Sequence, residues 1–272
     1  MIMLSCTLLL CCHKKQEPPV EEPVEPVEPP VEEPYIMPCG CGDEWPPETL
    51  TCRGELAWDY PVKPWTEEGE LTEEWKHLTR QDRINICQIP ADVLSSLSTE
   101  ELTDVCMQYP RLLECTALSP PDRGLDSLFK NFNGVRELFQ RDDSFMGLLN
   151  WYGCALQNLE APDDTGYSPS IVAAATLILS RYQSPDVANI ENYVEIVQHL
   201  VCGYEKMIKY PDLYSGWSLA INCFTRAKIL ITIDEHNLEI IPQGYSNLLF
   251  TMRYLDEPTR CAIDELSCQI IN

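Results

Sequence analysis

The sequence predicts an all-α protein, an irregular bundle of about eight to ten helices that follows a disordered Pro/Glu stalk. Three observations predict this fold class. Apolar residues recur at helical spacing from residue 79 onward, capping patterns open several stretches, and only residues 229–233 resemble a strand. Because no second β-branched run is present to pair with residues 229–233, we interpret them as the end of a helix.

The helices can be assigned in order along the chain. Ser98 and Glu101 have the spacing of a capping box, which opens one helix, and Pro110 ends it. Ser168 followed by Pro169 is the pattern of an N-cap with proline in the first turn. Residues 171–179 are apolar around the whole helical circumference, which predicts a central, buried helix. We expect further helices at 122–131, 134–141, 142–156, 190–210, 217–233, 245–254 and 258–271.

The chain begins with a short apolar run that ends in Cys11 and Cys12 and is followed at once by polar residues. The run is too short to span a bilayer, which needs about 20 apolar residues, and it has the length of a signal-peptide core. The segment Leu9-Leu10-Cys11-Cys12 resembles the lipobox of bacterial lipoproteins. That resemblance implies a signal peptide over residues 1–11 and lipid attachment at Cys12. An ordinary apolar terminus is the alternative.

Residues 12–38 are predicted to form an acidic stalk. Residues 18–34 contain only Pro, Glu and Val, so backbone donors are scarce and like charges repel one another. An extended segment of this length reaches roughly 50 Å, which suits a tether that holds a domain away from a membrane. The alternative, a PxxP ligand for a recognition domain, is disfavoured because basic flanking residues are absent.

Residues 39–78, which we call the strap, carry four of the six tryptophans in a Pro-rich stretch without helical periodicity. We expect the strap to be ordered, with its indole rings packed on the helical domain at 79–272, because a random coil would expose too much apolar area. The strap also contains Cys39, Cys41 and Cys52. We expect free thiols there; a local disulfide and a metal site are the alternatives, and metal is disfavoured because structural zinc needs four ligands.

A block in the helical domain resembles one found in uncharacterised exported and lipid-anchored bacterial proteins. It runs from Ile89-Pro90 through Ser98-Thr99-Glu100-Glu101-Leu102 to Tyr109-Pro110, and Phe132-Asn133-Gly134 belongs to the same pattern. The resemblance covers about a quarter of the chain. It implies a helical protein of the bacterial cell envelope, with the outer membrane favoured over the inner, and implies no activity.

The sequence contains no phosphate-binding, dinucleotide-binding, metalloprotease, EF-hand or serine-hydrolase motif. We therefore expect no cofactor and no metal. The weak catalytic candidates are His199 and Cys202, which lie three residues apart on one predicted helix and are close enough for a base and a thiol to meet. We interpret most cysteines from Cys87 to Cys268, Cys202 included, as buried free thiols instead.

The chain has 43 acidic and 19 basic side chains and a net charge of −24, which argues against nucleic acid as a partner. Residues 1–78 hold half of that surplus, with 17 acids and 5 bases, so the charge mainly reflects the stalk and the strap. The sequence favours a non-catalytic, lipid-anchored envelope protein that binds a protein or another envelope component, or has a structural role. The alternatives are an envelope hydrolase of unrecognised type, using Cys/His or carboxylates, and an unanchored soluble helical protein.

Overall fold

The computed structural model describes residues 39, 52, 56–66, 68–117, 121–158, 168–181, 190–214, 216–234, 237, 241 and 257–271. The chain divides into two compact units, Met1–Tyr35 and Ile36–Asn272, and every described residue belongs to the second. Within these described ranges the repetitive secondary structure is helical, and the β pairing is a single bridge between Trp65 and Leu71. The all-α prediction is confirmed. The predicted signal peptide, the predicted lipid-attachment residue Cys12, the predicted stalk and the predicted helix 245–254 lie outside the described residues.

The helices of the described ranges are numbered in chain order. They are α1 (Glu73–His77), α2 (Arg80–Ile86), α3 (Ala91–Ser96), α4 (Thr99–Met107), a 3₁₀ helix (Leu112–Cys115), α5 (Pro121–Asn131), α6 (Asn133–Leu138), α7 (Ser144–Gln157), α8 (Pro169–Leu179), α9 (Ile190–Ile208), α10 (Gly216–Ile233) and α11 (Glu257–Ile271). Residues 229–233 end α10, as the sequence predicts.

Local capping explains where several helices begin. The Ser98 hydroxyl accepts from the Glu101 amide, and the Glu101 carboxylate accepts from the Ser98 amide at 2.8 Å, which closes the predicted capping box of α4. The Ser168 hydroxyl accepts from the amide three residues later at the start of α8. A second capping box, between Thr79 and Asp82, opens α2. The short helices α2 and α3 were not among the predicted elements.

Helix α8 is the central element of the bundle. All its residues from 172 to 179 are buried, and it packs against α5, α7, α10 and the 3₁₀ helix. Helix α9 packs in turn against α7, α10 and α11. An apolar helix needs neighbours around its whole circumference, so the composition of residues 171–179 predicts this central position correctly.

The strap packs on the helical domain through part of its aromatic content. Tyr60, Val62 and Trp75 are buried. The Arg83 guanidinium donates to the Trp75 carbonyl oxygen at 2.8 Å and lies 5.2 Å from the centre of the indole ring. Trp65 is different, because 57% of it remains exposed.

Candidate functional site

The two weak catalytic candidates lie on α9 but do not form a Cys–His pair. His199 is only 5% exposed, and its Nδ1 lies 2.9 Å from the Glu195 carbonyl oxygen. Burial lowers the pKa of His199. Cys202 is fully buried and is disulfide-bonded, so it offers no thiolate for nucleophilic attack. The expectation that Cys202 is a free thiol is therefore wrong.

The two described cysteines of the strap form long-range disulfides; Cys41 lies outside the described residues. Cys39 is bonded to Cys268 of α11, and Cys52 is bonded to Cys154 of α7. Free thiols were expected at Cys39 and Cys52, with a local disulfide as the alternative, and both interpretations are wrong. The pairings span 229 and 102 residues, so they follow from the packing of the strap on the bundle and not from local spacing. Among the described residues no group of His, Cys, Asp or Glu side chains is arranged to hold a metal ion.

The cysteines of the helical domain that form no disulfide are mostly buried in its core. Cys87, Cys106, Cys115 and Cys223 are buried and unbonded, and Cys261 is half-buried. Burial raises the pKa of Cys87 to about 11 and that of Cys115 to about 12. A thiol reacts through its thiolate, so these buried cysteines pack as small apolar side chains.

The described surface contains a groove of about 390 Å³ between the strap and the bundle. Three separate segments line it: residues 56–65 of the strap, residues 107–113 at the end of α4 and in the 3₁₀ helix, and residues 168–171 at the start of α8. We call this feature the strap groove. It exists only because the strap lies on the helices, which no local sequence pattern reveals.

The floor of the strap groove is apolar and tightly packed. Tyr60 and Tyr109 line it and are almost fully buried. The Tyr60 hydroxyl donates to the Val105 carbonyl oxygen at 3.0 Å, and the Tyr109 ring stacks on Phe132 with ring centres 3.9 Å apart. The floor is therefore held in one conformation by contacts beneath it.

The rim of the strap groove carries the large apolar side chains Trp65 and Leu113, which are 57% and 43% exposed. Exposed Asp59, Lys63 and Gln108 lie among the same lining residues. This combination of apolar anchors and polar side chains around a concave surface is typical of a binding site.

The backbone that presents Trp65 is itself well ordered. Trp65 forms the antiparallel bridge to Leu71, and the amide of Thr66 donates to the Glu70 carbonyl oxygen at 2.8 Å. Gly69 turns the chain with φ 79°, a conformation that favours glycine. The exposed indole thus projects from a short, ordered turn. Because this backbone is already ordered, less conformational entropy is lost when a partner binds.

A buried polar cluster joins α9, α10 and α11. Arg226 and Asp264 have no exposed side-chain surface, and Arg226 Nη1 donates to Asp264 Oδ1 at 2.6 Å. Arg226 Nε donates to Asn222 Oδ1 at 3.0 Å, and its guanidinium lies 4.9 Å from the centre of the Tyr204 ring. Asn222 also donates to the Leu200 carbonyl oxygen at 2.8 Å. The cluster fixes the mutual positions of three helices.

Neither the strap groove nor this cluster was predicted from the sequence. The sequence does carry a signal for the cluster, since Asn222 and Arg226 lie four residues apart in a largely apolar helix, the spacing at which helical side chains meet. A cation in such a helix needs a buried partner. The identity of that partner, Asp264, depends on the packing of α11 on α10.

No protein-family model, no curated protein and no solved structure matches this chain. No helix within the described ranges is both long enough and apolar enough to cross a membrane.

Proposed function

We propose that this chain is a non-catalytic, lipid-anchored protein of the bacterial cell envelope whose helical domain binds a macromolecular partner through the strap groove. The anchor rests on the lipobox resemblance that ends at Cys12. The stalk of Pro, Glu and Val provides reach between the anchor and the domain. The outer membrane is the favoured location.

The disulfides support an exported protein independently of the N-terminus. Cys39–Cys268 and Cys52–Cys154 join the strap to two helices of the bundle. Disulfides form and persist mainly in oxidising compartments, such as the bacterial periplasm and the cell surface.

The binding proposal is supported mainly by the exposed apolar side chains at the rim of the strap groove. Trp65 and Leu113 are large apolar side chains that remain exposed on two different segments lining one concave surface. Tryptophan is the residue type most enriched at the energetic centres of protein interfaces, and here it stands on an ordered turn. A pre-formed groove with apolar anchors and a few polar side chains suits the capture of a partner surface.

Hydrolysis receives less support from the same groove. Among its described lining residues there is no His or Cys, and Asp59 is the only carboxylate. Nucleophilic catalysis needs a base beside the nucleophile, and carboxylate-based hydrolysis of glycosides uses a pair of acids. Binding is therefore the function that we assign to the groove.

The anchor is tested by metabolic labelling with a fatty-acid analogue in bacteria that produce the full chain. We expect label in the wild type and none in the Cys12→Ala variant. A wild type that stays unlabelled would favour the unanchored, soluble alternative, whereas a variant labelled as strongly as the wild type would show that Cys12 is not the attachment site.

The groove is tested separately by site-specific photo-crosslinking in the same cells. A photoreactive phenylalanine analogue replaces Trp65 or Leu113, and the control position is Met146 on α7, which is 42% exposed and does not line the groove. We expect the two groove positions to give the same discrete crosslinked product and Met146 to give none. Equal crosslinking at all three positions would mean that the groove is not the binding surface.

A further inference from the structure

The main chain of the strap runs along the strap groove and offers unpaired hydrogen-bonding groups there. Six of the seven residues from Asp59 to Trp65 line the groove. Among the described residues, neither the main-chain N–H of Lys63 nor that of Trp65 has a hydrogen-bond acceptor. Both residues are exposed, so these donors are available to a partner.

The bridge between Trp65 and Leu71 sets the direction of the main chain at Trp65. The hydrogen bonds of this bridge are made by the residues on either side of the pair, at 2.8 and 2.9 Å. In an antiparallel pair of this kind, the N–H and C=O groups of the two bridged residues point away from each other. The free edge at Trp65 is therefore of the kind alongside which an extended chain can pair.

The charges of the groove disfavour a strongly charged occupant. Asp59 and Lys63 are the charged residues among the described lining, one of each sign. Eleven of the fifteen described lining residues are apolar, aromatic or proline. Because a charge that loses its water needs a partner, a polyanion or a charged lipid headgroup has little to pair with here. An uncharged, largely apolar segment fits the lining better.

The size of the groove favours a single chain segment over a broad surface. Its volume of about 390 Å³ lies near the lower end of the range of about 300–1,000 Å³ for clefts that hold drug-sized molecules. A standard interface between two folded proteins covers about 800 Å² on each partner. The groove therefore has room for a few side chains from one segment.

We propose that the occupant of the strap groove is an extended peptide segment of the partner protein. Its main chain hydrogen-bonds to the unpaired groups at Lys63 and Trp65, and one large apolar side chain packs against Trp65 and Leu113. The inference rests on the proposed function of the groove and names the chemistry of its partner. It does not depend on lipid attachment.

The first test uses a phage library of random twelve-residue peptides, selected on the purified full chain. We expect the enriched peptides to contain a large apolar residue and to bind Trp65→Ala at least about tenfold more weakly than Met146→Ala. Met146 is a suitable control because it is 42% exposed and does not line the groove. If no peptide distinguishes the two variants, the occupant is not an extended peptide.

The role of the main chain is tested at Lys63. Lys63→Pro removes the N–H group, whereas the matched control Lys63→Ala keeps it and removes only the side chain. The residue before a proline already favours extended conformations, and Lys63 precedes Pro64. We expect Lys63→Pro to bind the selected peptides at least about fivefold more weakly than Lys63→Ala. Equal affinities would refute main-chain pairing at this residue.

A measurement on the unaltered protein covers the case in which Lys63→Pro fails to fold. Each amide of a selected peptide is replaced in turn by an ester, which removes one main-chain donor from the peptide. We expect at least one replacement to weaken binding by about fivefold or more. If every ester peptide binds within about twofold of its parent, the peptide main chain is not recognised and the proposal fails.

The proposed function and this inference fail under different outcomes. Crosslinks from Trp65 and Leu113 to one partner in cells support the groove as a binding surface, whatever the chemistry of that partner. Both crosslinks within about ten consecutive partner residues, which extend over roughly 33 Å, support the extended peptide. A glycan partner, or crosslinks to segments that are distant in the partner's sequence, would refute the peptide while leaving the binding surface in place.

Discussion

The Arg226–Asp264 pair makes Asp264→Ala the most informative single substitution in the core. Both side chains are fully buried and their nearest atoms are 2.6 Å apart. The substitution removes the carboxylate and leaves the guanidinium charge in an interior without water. Asn222 and the Tyr204 ring remain beside Arg226, but neither carries a compensating negative charge.

Removing one partner of a buried ion pair costs about 3–5 kcal/mol, because the other charge stays buried and uncompensated. For a domain of about 200 residues, 1 kcal/mol lowers the melting temperature by about 2–4 °C. We therefore expect Asp264→Ala to lower the free energy of unfolding by about 4 kcal/mol and the melting temperature by about 8–16 °C. Burial alone would lower the pKa of Arg226, but Cys223 and Asp264 outweigh burial and raise it, so the guanidinium stays charged.

The assay is urea unfolding followed by circular dichroism, with thermal melts alongside. The control is Asp126→Ala, which breaks the ion pair of Asp126 with Arg181, where the two side chains are 67% and 33% exposed. We expect that control to cost less than about 1 kcal/mol. The double variant Arg226→Met with Asp264→Leu removes both charges and is expected to recover at least half of the loss. If Asp264→Ala lost no more stability than the control, the buried pair would not be a major source of stability in this core.

Three further predictions address packing, pH and thiol chemistry. A Cβ at Gly124 would lie 1.8 Å from the Cys115 carbonyl oxygen, whereas one at Gly216 would meet nothing within 4 Å. We therefore expect Gly124→Ala to lower the free energy of unfolding by about 1–3 kcal/mol and Gly216→Ala to lower it by under about 0.5 kcal/mol, as measured by urea unfolding. Because burial lowers the pKa of His199 from its ordinary 6.5, the unfolded chain binds that proton more tightly, and stability should fall as the pH drops through 6.5 and below. In His199→Gln the urea midpoint should therefore change less between pH 8 and pH 5 than in the wild type. An unchanged pH dependence would show that His199 is not its source. In the native protein, maleimide should label Cys261 at least ~100-fold faster than buried Cys115, as read by peptide mass spectrometry, and equal rates would show that the core opens.

Most of the helical architecture follows from local signals. The starts of α4 and α8 are specified within one helical turn, by Ser98 with Glu101 and by Ser168 with Pro169. The apolar composition of residues 171–179 predicts that this helix is buried on all sides. Such signals are strong because capping and periodicity depend on residues at most four positions apart. The short helices α2 and α3 went unassigned because they contain too few turns to establish a period.

The site was less predictable because its parts come from distant segments. Spacing among Cys39, Cys41 and Cys52 suggests local chemistry, yet the described bonds lead to Cys154 and Cys268, more than 100 residues away. His199 was a candidate base on one predicted helix, but α9 packs against three other helices and His199 is buried. Each of these facts depends on which helices pack together, and that information is absent from any short window of sequence.

The proposed binding surface is the rim of the strap groove, and its contribution is measured by the affinity of the crosslinked partner for purified variants. A partner that covers about 100 Å² of the exposed Trp65 indole gains on the order of 2 kcal/mol, which corresponds to about 30-fold in Kd. We predict that Trp65→Ala weakens binding by about that factor, while Met146→Ala, at an equally apolar exposed position outside the groove, changes Kd less than about twofold. Equal effects of the two substitutions, or none from Trp65→Ala, would contradict the account.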